Sequence, residues 1–533
     1  MKFLRSMPNF LWGISGLFLL FGALLRARQY FFNRSIWLDE AFIATNLERG
    51  WLNLLSLPLD YSHSHIAPPG LLVISKLSTS IFGQIDWAIR LFPFLASLAA
   101  LWLFYKLASR VLSPIAVPIA MLLFAISDSL IFQAVNFKQY SSDVTITLLL
   151  SYWVMLFVQK AELARKDWVH LGILGAVMVW FSHPTIFVLV TIGLYLSLHF
   201  LRQKQFKTLL PLFMVGTVWV LSFLVMYRFI SGGGIATSSI GNWLIQFWTI
   251  NHGFMPAPWT LAAYDWLLQH YVAMFNSPAS LGVPEVAGIL FLVGGISLYA
   301  TKRAALFIIV FPLLLTLIAS ALYKYPFAER LLLFLLPMMY LLIAEALAQL
   351  KLQLPSLSHP QWIEIPTKML LIAAFISSTV WDLPKLRTLE EIKPLLSQLQ
   401  QQRTPQDTLY IYHWAEPAFR FYAKQYGLDY SQCALINPLP IVEYTKEIDY
   451  FRTVHKVPLK AVTETKCILG VAETYFKSAA DIEQLRGKGR VWILFSHASQ
   501  LEIDLFLNAL NQMGKKQAAW LQPGASLHLY ELQ

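Results

Sequence analysis

The chain has 533 residues, 57% hydrophobic and 13% charged, with a mean hydropathy of +0.55. Soluble domains carry about 25% charged residues, so a soluble domain is excluded and a polytopic membrane protein is implied. The net charge, 41 − 30 = +11, would point to nucleic acid in a soluble protein. Here the basic residues sit in short connections between apolar stretches, where they orient spans against anionic lipid, and no nucleic-acid partner is expected.

The first apolar stretch, Asn9 to Leu25, follows Lys2 and Arg5 and has no small-residue cleavage site after it, so it reads as a retained anchor. Spans are expected at 9–28, 88–109, 113–133, 142–159, 168–183, 184–201, 208–230, 284–300, 304–322, 329–350 and 367–383. That makes a polytopic α-helical membrane protein of about 11–13 transmembrane helices. Lys106 and Arg110, Lys160, Arg165 and Lys166, Arg202, Lys204 and Lys207, Lys302 and Arg303, and Lys351 and Lys368 fall in alternate connections. Those connections are cytoplasmic by the positive-inside rule. The N-terminus is then cytoplasmic, and the loops near 30–87, 134–141, 231–283 and 323–328 lie outside, as does the tail. A bacterial-type inner (plasma) membrane is expected. Leu71 to Phe82 is apolar but short and carries Ser75, Lys76, Ser78, Thr79 and Ser80, so it reads as a segment along the outer face or a partial insertion.

Two domains are expected, 1–383 in the membrane and 384–533 outside it. After Asp382, Leu386 to Gln402 is polar and helical in pattern. Leu409–Tyr412, Val491–Phe495 and Ser526–Tyr530 are strand-like, while Ala415–Tyr426 and Gln500–Gln512 read as amphipathic helices. This is a small C-terminal extracytoplasmic α/β domain. Both cysteines, Cys433 and Cys467, lie in it; a disulfide and two buried thiols are both open.

The reactive groups gather on the outer side. Asp39 and Glu40 stand in Trp37-Leu38-Asp39-Glu40-Ala41, just past the first span, and ionisable groups at a membrane boundary mark functional sites. The alternative is a helix cap. His63 and His65 follow in the same loop, too weakly patterned for a metal site and better placed to hydrogen-bond a substrate or pack the loop. The second outer loop carries Lys138, Tyr140 and Asp143, where a snorkelling lysine and a first-turn aspartate are the competing roles. The last outer loop carries Tyr325 and Arg330; the arginine is either an interfacial anchor or a bidentate phosphate clamp. Trp243, Trp248, Trp259 and Trp266 suit an interfacial aromatic belt, and Gly232-Gly233-Gly234 a movable lid. Carboxylates to take a proton, cations to meet a phosphate and aromatics to stack on a ring form one chemical set.

Trp37-Leu38-Asp39-Glu40-Ala41, then Pro68-Pro69-Gly70 with an apolar stretch to Phe82-Gly83, then Ala88-Ile89-Arg90-Leu91, resemble the amino-terminal half of GT-C type lipid-linked-sugar glycosyltransferases. By pattern the nearest are the bacterial aminoarabinose transferases of lipid A and the protein O-mannosyltransferases. The resemblance covers roughly residues 1–350 and is strongest over 36–91. It implies transfer of one hexosyl or pentosyl group from a polyprenyl-phosphate donor to a glycan, lipid or protein acceptor on the outer face, with inversion. It places the base, or the group orienting the acceptor, on Asp39, with Glu40 as neighbour, and a second acid on Asp143 after Tyr140. It implies no cofactor and leaves a divalent metal open. Aminoarabinose transferases put a lysine just before the Pro-Pro pair; here that position is Ala67, so Lys138 or Arg330 must meet the phosphate. A transporter or flippase of lipid-linked sugars would use the same cavity without a base; such folds often show inverted repeats and broken Gly/Pro helices near the midplane.

Overall fold

The computed structural model describes residues 2–56, 59, 67–160, 162–230, 245–350, 361–383, 385–436, 458–460, 464–470 and 482–533. The chain divides into two compact units: Met1–Phe32 with Ile66–Leu386, and Asn33–His65 with Arg387–Gln533. The segment carrying Asp39 and Glu40 therefore belongs to the same unit as the tail, although residues 66–386 separate them in sequence.

Unit one is a helical bundle. Among the described residues, nine helices are long and apolar enough to cross a membrane: Phe10–Phe32, Asp86–Val111, Tyr140–Phe157, Thr185–Arg202, Phe206–Arg228, Pro284–Thr301, Arg303–Ala321, Glu329–Gln349 and Ile363–Asp382. The stretch expected to span at 168–183 is the shorter helix Arg165–Met178. The stretch at 113–133 is two helices, Ala116–Ile126 and Asp128–Gln133, broken at Ser127. A break in an apolar bundle strands helix-end carbonyls that water cannot reach. Arg26, buried in the first helix, meets them: Nη1 donates to Ala125 O at 2.9 Å and Nη2 to Phe124 O at 3.2 Å. Tyr340 adds bonds to Ser127 Oγ at 3.0 Å and Ala279 O at 2.7 Å. Leu71–Phe82 lies within the 14-residue helix Pro69–Phe82, short of the roughly 20 residues that cross a bilayer.

Two sets of contacts tie the helix ends in the phase expected of them. At one, Arg110 donates to Gln159 Oε1 and Lys302 to Arg110 O. At the other, Gly70 N donates to Trp180 O at 2.8 Å, Ser142 Oγ to Phe181 O at 3.1 Å and Phe327 N to Gly253 O at 2.7 Å. A side chain on Gly70 would meet the Phe181 ring at 2.6 Å, which is why the Pro-Pro pair is followed by glycine. The expected outer loop 231–283 contains a helix, Leu261–Asn276. Its Trp266 is core rather than interfacial belt: the indole is buried, donates to His252 O and stacks on His270. Trp259 is exposed, while Gly232, Gly233, Gly234 and Trp243 lie outside the described residues.

Unit two is an α/β domain on a seven-stranded sheet, in the order β3-β2-β4-β1-β5-β7-β6. The strands are β1 Thr408–Ile411, β2 Cys433–Ile436, β3 Leu459–Lys460, β4 Cys467–Leu469, β5 Gly489–Ser496, β6 Gly514–Gln522 and β7 Ala525–Leu532. The first five are parallel; β7 and β6 add antiparallel at one edge. The apolar runs of β1 and β5 are buried because both lie inside the sheet, as parallel strands require. Cys433 and Cys467 face each other across β2 and β4, with Cα atoms 4.3 Å apart, and form a disulfide. Helix Gln500–Met513 begins at a capping box: Ser499 N donates to Glu502 Oε2 at 2.9 Å, and Glu502 N to Ser499 Oγ at 3.3 Å.

Candidate active site

The acidic pair divides its labour. Trp37 is the N-cap of helix Leu38–Ala44, which puts Asp39 and Glu40 in its first turn, where the helix dipole favours negative charge. Glu40 sits at the third position and accepts from Trp37 N at 3.4 Å through Oε2. The same oxygen takes Arg34 Nη1 at 2.7 Å, with both side chains essentially fully buried. Glu40 is thus committed to a buried ion pair and a helix start, and the cap expected as an alternative for the acidic pair falls on it alone. Asp39 points elsewhere. Its carboxyl is 8% exposed and acts electrostatically on His497 of the tail.

His497 follows β5 directly. Its Nδ1 lies 2.6 Å from Glu390 Oε1, and that bond, with the Glu390, Asp39 and Glu502 charges, raises its pKa against the opposing effect of burial. Glu390 Oε2 also accepts from Leu38 N at 3.0 Å and Ser496 Oγ at 3.2 Å. Next to it, the Glu391 carboxylate accepts from Ser35 N and Ser35 Oγ, and Tyr422 OH takes Ile36 N at 2.8 Å. In open α/β sheets the crevice beyond the carboxyl ends of the strands is where ligands bind. In this domain Glu390 links His497, just beyond β5, to the Asp39 helix through Leu38 N.

Unit one brings together a second set. Asp143 is in the first turn of helix Tyr140–Phe157, but Gln139 is the N-cap, so Asp143 does not cap it. The side chain is buried and its Oδ1 meets no well-aligned partner among the described residues; the buried Ser182 hydroxyl lies close enough to interact with the carboxyl. Tyr140, buried at the head of the helix, and Tyr325 lie within electrostatic reach. Tyr325 OH donates to Leu331 O at 2.9 Å, and burial pushes its pKa well up, so the phenol stays neutral. Lys138 is 5% exposed, which rules out a snorkelling lysine, whose head stays in water. Arg330 is half-buried on the 3₁₀ segment Glu329–Leu335, next to the carbonyl that Tyr325 reaches. Ala67 is buried. His63 and His65 lie outside the described residues. Among the described residues, no three or more His, Cys, Asp or Glu side chains converge as cation ligands.

Residues 66–227 match the family model described as dolichyl-phosphate-mannose-protein mannosyltransferase. Two crystal structures of ArnT from Cupriavidus metallidurans, one apo and one bound to undecaprenyl phosphate, share the fold over 97% of this chain and 98% of theirs, at 13% and 12% identity, with TM-scores of 0.54 and 0.56. The apo oligosaccharyltransferase of Archaeoglobus fulgidus is similar over 97% of this chain and 74% of its own, at 10% identity and a TM-score of 0.50. The chain shares the fold of the two ArnT structures over nearly its whole length. No curated protein matches it.

The family model covers the part of the chain that holds Lys138, Tyr140, Asp143 and Ser182, and stops before both the Tyr325–Arg330 loop and the tail. Glu390, His497, Ser182 and Arg34 were not singled out from sequence. Glu390 had a faint signal, an acidic pair Glu390-Glu391 soon after the last span. His497 had one as well, a histidine ending a strand in a parallel sheet.

Proposed function

We propose that this chain is a GT-C type glycosyltransferase that moves a single hexosyl or pentosyl group from a polyprenyl-phosphate donor to an acceptor on the extracytoplasmic face. The observation that carries this is the Asp143 carboxyl, buried in the bundle with an oxygen that meets no well-aligned donor among the described residues and with the Ser182 hydroxyl beside it. Leaving a buried acceptor unmade costs about 1–3 kcal/mol, and folds tolerate that where a ligand supplies the missing bond. The disulfide Cys433–Cys467 supports an oxidising, extracytoplasmic location for the tail.

In the proposed step Asp39 takes the proton from the acceptor hydroxyl. The acceptor oxygen bonds to the anomeric carbon from the face opposite the donor phosphate. The carbon–oxygen bond to the phosphate breaks, and the lipid phosphate leaves with the electron pair. Inversion follows from this single displacement. Lys138 and Arg330 supply the positive charge the leaving phosphate needs; Tyr140 and Tyr325 line the sugar; Asp143 orients a hydroxyl. Polyprenyl phosphate is an apt leaving group only while its charge is neutralised, so a buried lysine near the second acid is chemically suited to the task.

The test is turnover of radiolabelled undecaprenyl- and dolichyl-phosphate sugars, hexoses and pentoses, by the full chain in lipid nanodiscs with a cell-envelope acceptor extract. The expected result is label leaving one of the lipids, with Asp39→Asn slowing transfer by roughly 10²–10⁴-fold. Full transfer by Asp39→Asn removes the base assignment. In proteoliposomes, label that crosses the membrane while still attached to its lipid identifies a flippase instead.

A further inference from the structure

A base on a seven-residue helix needs its backbone and its charge held from outside that helix. The Asn33–His65 segment gets both from the tail it packs with. Over four residues, Ser35, Ile36 and Leu38 each give a backbone N–H to a tail side chain: Glu391, Tyr422 and Glu390. The Glu390 carboxylate is the hub, bonded at once to Leu38 N, Ser496 Oγ and His497 Nδ1. Trp414 joins the same frame, its indole edge-on to Phe42, one turn along the helix, at 6.2 Å and to the His497 ring at 6.4 Å. His497 itself takes φ +57°, with its N–H on Gly524 O at 3.1 Å. A non-glycine residue kept in the left-handed region points to function.

We propose that Glu390 and His497 form a positioning dyad for Asp39, in which Glu390 fixes the first turn of the acidic helix through Leu38 N and holds the His497 ring within electrostatic reach of the reacting carboxylate. This rests on Asp39 being the base. The groups facing the imidazole are Glu390, Asp39, Glu502 at the start of helix Gln500–Met513, and His413 beyond β1. Three are acidic. The fourth, His413, is held neutral, with a pKa lowered to about 3 by burial and then by the His497 charge. The dyad gives the extracytoplasmic domain a part in the chemistry: without it Leu38 N loses the carboxylate it bonds and Asp39 loses the nearby charge of His497. Neither residue touches substrate; each acts through Asp39.

His497→Asn is the variant of choice, because asparagine tolerates the left-handed backbone and only the imidazole is lost. With whichever lipid-linked sugar the wild type turns over, the acid limb of kcat/KM should move up by about one pH unit in His497→Asn, as removal of a nearby opposite charge shifts a carboxylate. A merely structural role would lower kcat/KM equally at every pH, and that result overturns the dyad. A second measurement is independent of turnover. Among the 12 histidines, the His497 ring signal in NMR of the full chain in nanodiscs is the one absent from His497→Asn. Its titration midpoint should fall in Asp39→Asn; an unmoved midpoint overturns the coupling. If no lipid-linked sugar is turned over while Asp39→Asn still moves the midpoint, the glycosyltransferase assignment fails and the coupling of His497 to Asp39 alone stands.

Discussion

Glu40 and Asp143 are both buried carboxylic acids in first turns of helices, and the two units treat them in opposite ways. In unit two, Glu40 has Arg34 at 2.7 Å and a helix-start N–H on the same oxygen. In unit one, Asp143 has no cation paired with it among the described residues, and the donor beside it is the Ser182 hydroxyl. A compensated buried charge is a strut, whereas an uncompensated one marks chemistry. Adjacency in sequence is a poor guide to which is which, since Asp39 and Glu40 are neighbours and it is Glu40 that pairs with Arg34.

The largest effect expected is on the strut. Removing one partner of a buried pair strands the other, at a cost of about 3–5 kcal/mol. Glu40→Gln should therefore lower the thermal midpoint of the full chain in nanodiscs sharply, and Arg34→Met combined with Glu40→Leu should recover much of it. A Glu40→Gln protein with the wild-type midpoint and no transfer would make Glu40 a reacting group and erase the contrast.

Next comes the uncompensated acid. Asp143→Asn keeps the side-chain shape and removes the charge. Transfer should fall by roughly 10²-fold with the thermal midpoint unchanged or raised, because burying an amide costs less than burying a carboxylate. A fall in midpoint matching that of Glu40→Gln would show that Asp143 is also a strut, with its donor outside the described residues.

The motif order that placed Asp39 and Asp143 was legible because each acid lies close in sequence to a recognisable feature: a Trp-Leu pair after a span for one, a tyrosine before a span for the other. The roles within the acidic pair were not, because Glu40 is defined by Arg34, which nothing in a one-dimensional pattern distinguishes from other boundary arginines. Long range hid the rest. Glu390 and His497 are 107 residues apart, and Leu38 and Glu390 are 352 apart. The span break at Ser127 was hidden for the same reason: residues 116–126 are uniformly apolar, and the cation that makes the break tolerable is Arg26, about a hundred residues upstream. Apolar strands such as β5 and β7 were plain from their composition. β6, with Lys515, Lys516 and Gln517, was not, because it is an edge strand whose side chains mostly face water. The tail's grouping with the first loop followed from none of these local signals.

The smallest effect tests a third kind of carboxylate. Glu390 is buried, but its partner His497 is 43% exposed at the side chain, so the pair falls between the strut and the uncompensated acid. The folded-state pKa of His497 is raised above its unfolded value of about 6.5. The folded protein therefore binds the proton more tightly than the unfolded chain. The stability this supplies is complete below about pH 6.5 and is lost as pH rises through the folded value. For a partly exposed pair the size is within about 1 kcal/mol after solvent screening. Thermal midpoints of the wild type and His497→Asn, measured in nanodiscs at moderate salt, should differ most on the acid side and converge as pH rises. Raising the salt should shrink the difference. A gap that widens with pH would mean that the imidazole is stabilised in its neutral form, and Glu390 would then belong with the carboxylates left without a cation.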